Sequence, residues 1–439
     1  MAALMRSRLF LRRTTAAAGI YASVVLGFLA TVIAAHRFST TTFGLYALVL
    51  SAAGFFQSLL DLTVEEALVK YGFRFATRED WGRLRGLFRS ALRFKLAGAV
   101  VAALALLGLA PLAHTVFHKS GLATPLALAA LIPIVQFAEG TAGVALVLRE
   151  RYDLRAVFLV VSMALRLAAV AVGTGYGLTE TIVGIVAAQV VATSAIGAAG
   201  LVAFRRFPRA PTERLGDERR GVLAFLGQSS LATMMTSLTS PLAILVLGRV
   251  ATTAEVAYFR VALAPQQGLG ALSAPARLIL MTEQTRDWER GTPETVFAGI
   301  RRYMLGATLL GAVVLPPLLV FTPELVRTFF SAKNVGAVDA TRVVLIAGVL
   351  RLVYGWTKSF PVSIGRPNLR IWTHGVETVV LVPLAGVLGA KWGATGAAGA
   401  VLASSAVFCA YWTLLYLRIR REPRLPVTPP TPAQEVVLP

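Results

Sequence analysis

Apolar runs long enough to cross a bilayer recur along the whole chain, separated by short polar stretches rich in arginine. A helix needs about 20 mainly apolar residues to span the hydrocarbon core. Windows of that kind fall at 16–36, 43–68, 94–113, 124–148, 157–176 and 181–204, and again at 222–247, 256–281, 303–323, 338–361, 371–390 and 395–417. The pattern predicts an all-α integral membrane protein with 12 transmembrane helices, six in each half. It divides the chain into a six-helix bundle over 1–204, a cytoplasmic linker over 205–221, a second bundle over 222–417 and a disordered cytoplasmic tail over 418–439. The second, fourth and tenth windows contain charges.

Composition agrees with the pattern. Of 439 residues, 56% are hydrophobic and 15% charged, against about 25% charged in a soluble domain. That excludes a soluble enzyme, a disordered chain and a disulfide-stapled module. The net charge of +21 comes from 43 basic against 22 acidic residues. Basic residues mark the cytoplasmic side of short loops. With Arg6, Arg8, Arg12 and Arg13 placed inside, and Lys95, Arg277 and Arg342 near window ends counted with their loops, 32 of the 43 basic residues fall on that side, 7 on the other and 4 within spans. One missed span would invert half the chain and destroy the split, so both termini are expected in the cytoplasm. The basic excess then serves orientation, and no nucleic-acid partner is expected. The basic head and apolar run at the N-terminus resemble a signal peptide, but the run is too long and is read as a retained first span. Cys409 is the only cysteine, so no internal disulfide forms. His114 and His118 have helical metal-pair spacing but fall in a short loop without a third ligand, so neither metal nor cofactor is expected.

Between Lys70 and Lys95 lies the largest inner loop. Trp81, Leu84, Leu87, Phe88 and Leu92 recur there at helical spacing, with Arg83, Arg85, Arg89 and Arg93 between them. The spacing predicts a basic amphipathic helix on an anionic leaflet, either as an anchor or as a collector of anionic lipid. The chain also repeats. Arg37 to Tyr46 and Arg249 to Tyr258 share a Thr-Thr pair at one offset of 212, while Arg151-Tyr-Asp-Leu-Arg155 and Arg366-Pro-Asn-Leu-Arg370 align at 215. Six spans per half make the repeat parallel, which predicts two bundles around a central cleft and alternating access by rocking. A membrane glycosyltransferase or polymerase is disfavoured, because no outer loop exceeds about 16 residues.

Phe43-Gly-Leu-Tyr46 after a short outer loop resembles the start of the oligosaccharide (O-antigen-type) flippases, in the superfamily that also holds multidrug extruders and the lipid II flippase. The acidic end of the second span, Asp61 to Leu68, Pro275, and the Gly- and Ala-rich stretch 389–400 are similar to that family too. The resemblance implies export of a polyprenyl-pyrophosphate-linked glycan, with polysaccharide assembly proteins as candidate partners. A monomer is expected.

Ionisable groups at membrane depth cost about 2.5–3.5 kcal/mol each and mark cavities or partners. Four basic residues qualify: Arg166, Arg260, Arg351 and Lys358. A pyrophosphate suits arginine forks and lysine charges, whereas a cleft for cationic drugs would favour acids. Arg351 and Lys358 are seven apart and would share one helical face; Arg351 could instead neutralise Glu139. Arg260 and Lys358 are near enough to an interface to snorkel. Glu139, Glu377 and Asp61 are the candidate coupling-ion or cleft acids, and a cation-coupled multidrug-type extruder on the same fold would depend on Glu139 and Asp61. Asp61, Glu65 and Glu66 could equally form an interfacial cluster with Lys70 or Arg74. Arg37 and Arg249 stand at the outer rim as gate candidates or interface anchors. Pro265, with Gln266, Gln267 and Gly268, marks the eighth span as the best candidate for a bent, cavity-lining helix.

Overall fold

Inside a bilayer every backbone polar group must find its partner within the protein, so long apolar runs fold as helices. The computed structural model describes residues 2–60, 64–272, 280, 283–288, 290–366 and 368–421. The first half contains α1 (Ala2–Arg37), α2 (Thr40–Leu60), α3 (Val64–Thr77), α4 (Trp81–Phe117), α5 (Ala123–Ala129), α6 (Leu131–Gln136), α7 (Glu139–Leu148), α8 (Tyr152–Gly173) and α9 (Leu178–Arg205). The second contains α10 (Glu218–Val250), α11 (Thr253–Leu272), α12 (Pro293–Val320), α13 (Thr322–Phe330), α14 (Val338–Val353), α15 (Phe360–Ser363) and α16 (Asn368–Arg421). Among the described residues, nine helical segments are long and apolar enough to cross a membrane. The 54-residue α16 is interrupted at Trp392 and Gly393. Gly393 has φ +54°, ψ −132°, a backbone that side chains resist.

Two expected spans are broken rather than continuous. The fourth is α5, α6 and α7 in series, with turns at Phe137 and Ala138. In the tenth, α14 stops at Val353, a 3-10 turn covers Gly355–Lys358, and α15 follows. The breaks occupy near-equivalent positions of the repeat.

The expected amphipathic helix over 70–95 is not a separate surface element. α3 ends at Thr77, Glu79 turns the chain with φ +57°, and Asp80 caps α4 by accepting the Arg83 amide at 3.1 Å. α4 then runs without interruption from Trp81 into the third span. Its apolar face packs inward: Leu84, Leu87 and Phe88 are buried with Val64, Leu68, Phe75 and Leu226. The hydrophobic period is present, but protein rather than lipid covers Leu84, Leu87 and Phe88, and of the stripe only Leu92 is exposed. His114 likewise belongs to α4, and His118 ends it in the left-handed conformation.

The apolar cores show how the halves join. At the face away from the basic loops, one core takes Phe38, Phe43 and Leu126 from the first half and Leu247, Val256 and Val326 from the second. At the basic face there are two cores that share no residue. One joins α3 and α4 to the start of α10 through Val222 and Leu226. The other gathers Phe297, Trp356, Phe360 and Trp412. α10 therefore leans on the first half at its start, while its far end packs against α16, where Leu247 and Val250 approach Gly389.

Polar contacts reinforce the shared end. Lys119 Nζ donates to the Ala251 carbonyl at 2.8 Å. Lys333 Nζ donates to the carbonyls of His36, at 2.6 Å, and Phe38. Asn334 Nδ2 donates to Ala35 O at 3.3 Å. Arg249 donates to His118 Nδ1 at 2.9 Å. α2 and α11 touch backbone to backbone: a methyl group on Gly44 would land on the Thr253 carbonyl oxygen.

Candidate functional site

The four intramembrane cations do not converge on one site. Arg166 of α8 and Arg260 of α11 approach each other from opposite halves, with Tyr46 of α2 between them. The Tyr46 hydroxyl accepts a hydrogen bond from Arg166 and lies in the field of both guanidinium groups. Phe38 and Phe43 pack against the Tyr46 ring, with centroids 5.8 and 6.2 Å away. Among the described residues no carboxylate pairs with either arginine. Two cations at membrane depth with no counter-charge among the described residues form a place where an anion lowers the energy.

Arg351 and Lys358 line a different cavity of about 230 Å³, bordered by α10, α11, α14 and α16. They reach it although the helix between them is broken, so the shared face expected from a seven-residue spacing is not the reason. Arg351 does not neutralise Glu139. It forms an ion pair with Glu377 of α16, whose side chain is fully buried. His374 Nδ1–H donates to the other Glu377 oxygen at 2.9 Å. Arg351 Nε donates to Ser405 Oγ at 3.2 Å, and the guanidinium lies 4.2 Å from the Phe408 ring centroid. Arg351 and Glu377, read from the sequence as separate groups, are one buried pair, and its charge is largely satisfied. Gln266 and Gln267, beside Pro265, line the same cavity, and α11 runs helically through the proline.

Glu139 belongs to the first half's own cavity, of about 250 Å³. Gln189 Nε2 donates to Glu139 at 2.7 Å and to Thr193 Oγ1 at 3.0 Å. Gln136 also bonds Glu139, and Gln57 Nε2 donates to Gln136 at 2.9 Å. The chain of amides links α2, α6, α7 and α9. Lys95 and Glu65 line the same space as an ion pair at 3.0 Å. The two cavities thus occupy repeat-related places, since Glu139 and Arg351 are 212 residues apart, and present opposite charges at the repeat position.

Other candidates separate. Asp61 lies outside the described residues, as does Pro275. Glu65 and Glu66 do not pair with Lys70 or Arg74: Glu66 accepts from Ser229 of α10, and Arg74 pairs with Glu218 at 3.3 Å. Arg249 crosses between halves to His118, whereas Arg37 donates to the Ala171 carbonyl within the first half. Sequence reasoning missed Tyr46, Lys95, Gln189 and His374. Lys95 sat two residues inside an expected span and was counted with the loop.

Comparison with known proteins completes the picture. The structure is similar to an inward-facing multidrug resistance MATE family transporter of the MOP superfamily, at TM-score 0.70 and 15% identity, covering 90% of this chain and 94% of that one. It is similar to the lipid II flippase MurJ in an inward closed conformation, at TM-score 0.69 and 12% identity, covering 93% and 88%. A MOP superfamily transporter from Pyrococcus furiosus, described as having a binding pocket of reverse polarity, matches at TM-score 0.63 and 14% identity, covering 94% and 95%. Among curated proteins, none matches the sequence. At these identities the likeness establishes the fold alone, one shared with these three transporters. A family model described as polysaccharide biosynthesis protein matches residues 18–272, more than half of the sequence, and the chain belongs to that family.

Proposed function

We propose that this protein is a flippase that moves a polyprenyl-pyrophosphate-linked oligosaccharide across the bacterial inner membrane by alternating access. The observation that carries the reading is the meeting of Arg166 and Arg260 from opposite halves at Tyr46 without a carboxylate among the described residues. A pyrophosphate bound there bridges both halves, so its presence is felt by the contact that must change when the halves rock. Lys358 and the Arg351 pair offer polar partners to the glycan in the second half's own cavity. With the basic face in the cytoplasm, the shared core closes the periplasmic side and the separate cores leave the cytoplasmic side divided. The family's link to polysaccharide biosynthesis supports the cargo. Alternating access needs no covalent chemistry, so we read no catalytic residue.

A second reading, a cation-coupled extruder of small molecules, is favoured by one feature. Glu139, with its amide chain, is a polar acid at membrane depth in the cavity of the first half. Proteoliposomes separate the two. Translocation of a lipid-linked oligosaccharide is expected, with Arg166→Ala and Arg260→Ala each reducing it at least tenfold. The tenfold figure corresponds to about 1.4 kcal/mol, the lower range of one charge-assisted contact. Export of a cationic dye that fails only in Glu139→Ala, together with no lipid-linked transport, would overturn the proposal.

A further inference from the structure

A third cavity lies apart from both membrane-depth cavities, at the seam between α4 and the start of α10. Its volume is about 530 Å³, roughly twice that of either deeper one, and α3 forms part of its floor. The stretch before α10 crosses over α4 here: Glu213 N–H donates to the Gly82 carbonyl at 3.1 Å, and a methyl on Gly86 would land on the Glu213 carbonyl. That crossing roofs one end of the groove.

Four exposed arginines line it, Arg89 and Arg93 one turn apart on α4, and Arg214 and Arg219 on the facing stretch. Glu213 is the one acid among its lining residues, and its carboxylate rests over Gly82. Glu218, close by, is occupied by Arg74 and Arg78. Among the described residues none of the four arginines forms an ion pair. Beneath this charge the lining is apolar: Val64, Leu68, Leu87 and Leu226 are buried there, while Phe94 and Leu223 are exposed. Leu96 and Val100 on α4 and Leu231 on α10 are also exposed and continue the apolar surface away from the arginines. The groove therefore straddles the level where the water-facing surface becomes a lipid-facing one.

We propose that this groove is a binding site for an anionic phospholipid, its phosphate held by Arg89, Arg93, Arg214 and Arg219 and its chain lying along Leu87, Leu223 and Phe94. A free phosphate satisfies the arginines but leaves the apolar floor uncovered, and a zwitterionic lipid covers the floor but brings a cation to the arginines. An anionic diacyl lipid meets both demands. Its position joins α4 to α10, so an occupied site braces the first half against the start of the second. The inference is independent of the glycan cargo.

The test uses the purified full-length protein titrated with phosphatidylglycerol or phosphatidylcholine and read by native mass spectrometry. Phosphatidylglycerol is expected to bind more tightly. At about 1 kcal/mol per basic residue near an anionic headgroup, Arg89→Gln with Arg219→Gln lowers its affinity about thirtyfold. Phosphatidylcholine binding is expected to stay unchanged. Arg93→Gln with Arg214→Gln is an independent pair expected to do the same. Arg205→Gln with Arg206→Gln, equally exposed but outside the groove, is expected to alter affinity less than twofold. Leu223→Asp is expected to weaken the lipid while leaving inorganic phosphate without effect as a competitor. Equal binding of the two lipids by the unaltered protein, equal losses in groove and control pairs, or full displacement of the lipid by inorganic phosphate would each overturn the proposal.

Discussion

Replacing Glu377 by glutamine tests whether the buried pair with Arg351 is a stability element of the second half. The Glu377 side chain is fully buried and that of Arg351 is 24% exposed. Removing one partner of a buried pair costs about 3–5 kcal/mol, because the other charge is left uncompensated. Arg351 keeps the Ser405 bond and the Phe408 ring, worth about 1–2 kcal/mol together, so the expected loss lies at the lower end, about 3 kcal/mol. Arg351→Met alone leaves the carboxylate with His374 as its only described partner and is expected to cost at least as much. The double variant Arg351→Met with Glu377→Leu leaves no buried charge behind. Its remaining cost is the unpaired His374 N–H, about 1–3 kcal/mol. Against the single variants Arg351→Met and Glu377→Leu, the double variant is therefore expected to show a coupling of at least about 3 kcal/mol. Reversible unfolding in mixed micelles, followed through tryptophan fluorescence, suits the measurement because Trp356 and Trp412 are buried in the neighbouring core. A loss below about 1 kcal/mol for Glu377→Gln, or a double variant as unstable as the sum of the singles, would refute the reasoning.

Three further outcomes are expected. Gly44→Val forces α2 from Thr253 at the sealed face, and a cysteine placed at Thr41 is expected to gain reactivity towards an impermeant reagent on that side. Lys333→Met removes a donor shared by two carbonyls, each bond to a charged group being worth about 1.5–3 kcal/mol; spin-label distances between positions 41 and 332 should broaden towards longer values. Burial lowers the pKa of both Lys119 and Lys333 below the usual lysine value of 10.5. The sealed form then binds fewer protons than one in which these lysines face water. Between the lowered values and 10.5, raising the pH is expected to favour the sealed form, and the same spin-label pair should shorten.

Much of the architecture is written in hydropathy. α8, α9 and α12 overlap the windows that predict them, because a run of about 20 apolar residues has few other fates in a bilayer. The broken fourth and tenth spans do not show in hydropathy because a window averages over a turn, so Gln136 and Glu139 beside Phe137, and Gly355 after Tyr354, leave each run apolar enough to read as one span. The sites were half legible. Cost alone singles out Arg166, Arg260 and Arg351, since a charge at depth requires a reason. Which acid meets which base depends on how each helix is rotated about its axis, which the sequence does not display. Glu139 and Arg351 share a place in the repeat but face separate cavities, while Glu377, on another helix, meets Arg351. The stripe at Leu84, Leu87 and Phe88 shows that apolar spacing announces burial without naming what buries it.

The seal at the shared end has an evolutionary corollary. Lys119 and Lys333 close it by donating to the main-chain oxygens of Ala251, His36 and Phe38. Every residue type carries such an oxygen, so substitutions on the accepting side leave the lock intact provided the chain keeps its path. Selection on this closure should act on the two donors and on loop length, and related proteins are free to vary the loop side chains around them. A contact between paired side chains, such as Arg249 with His118, requires both partners to change in step; the two lysine contacts drift on one side without losing their hold.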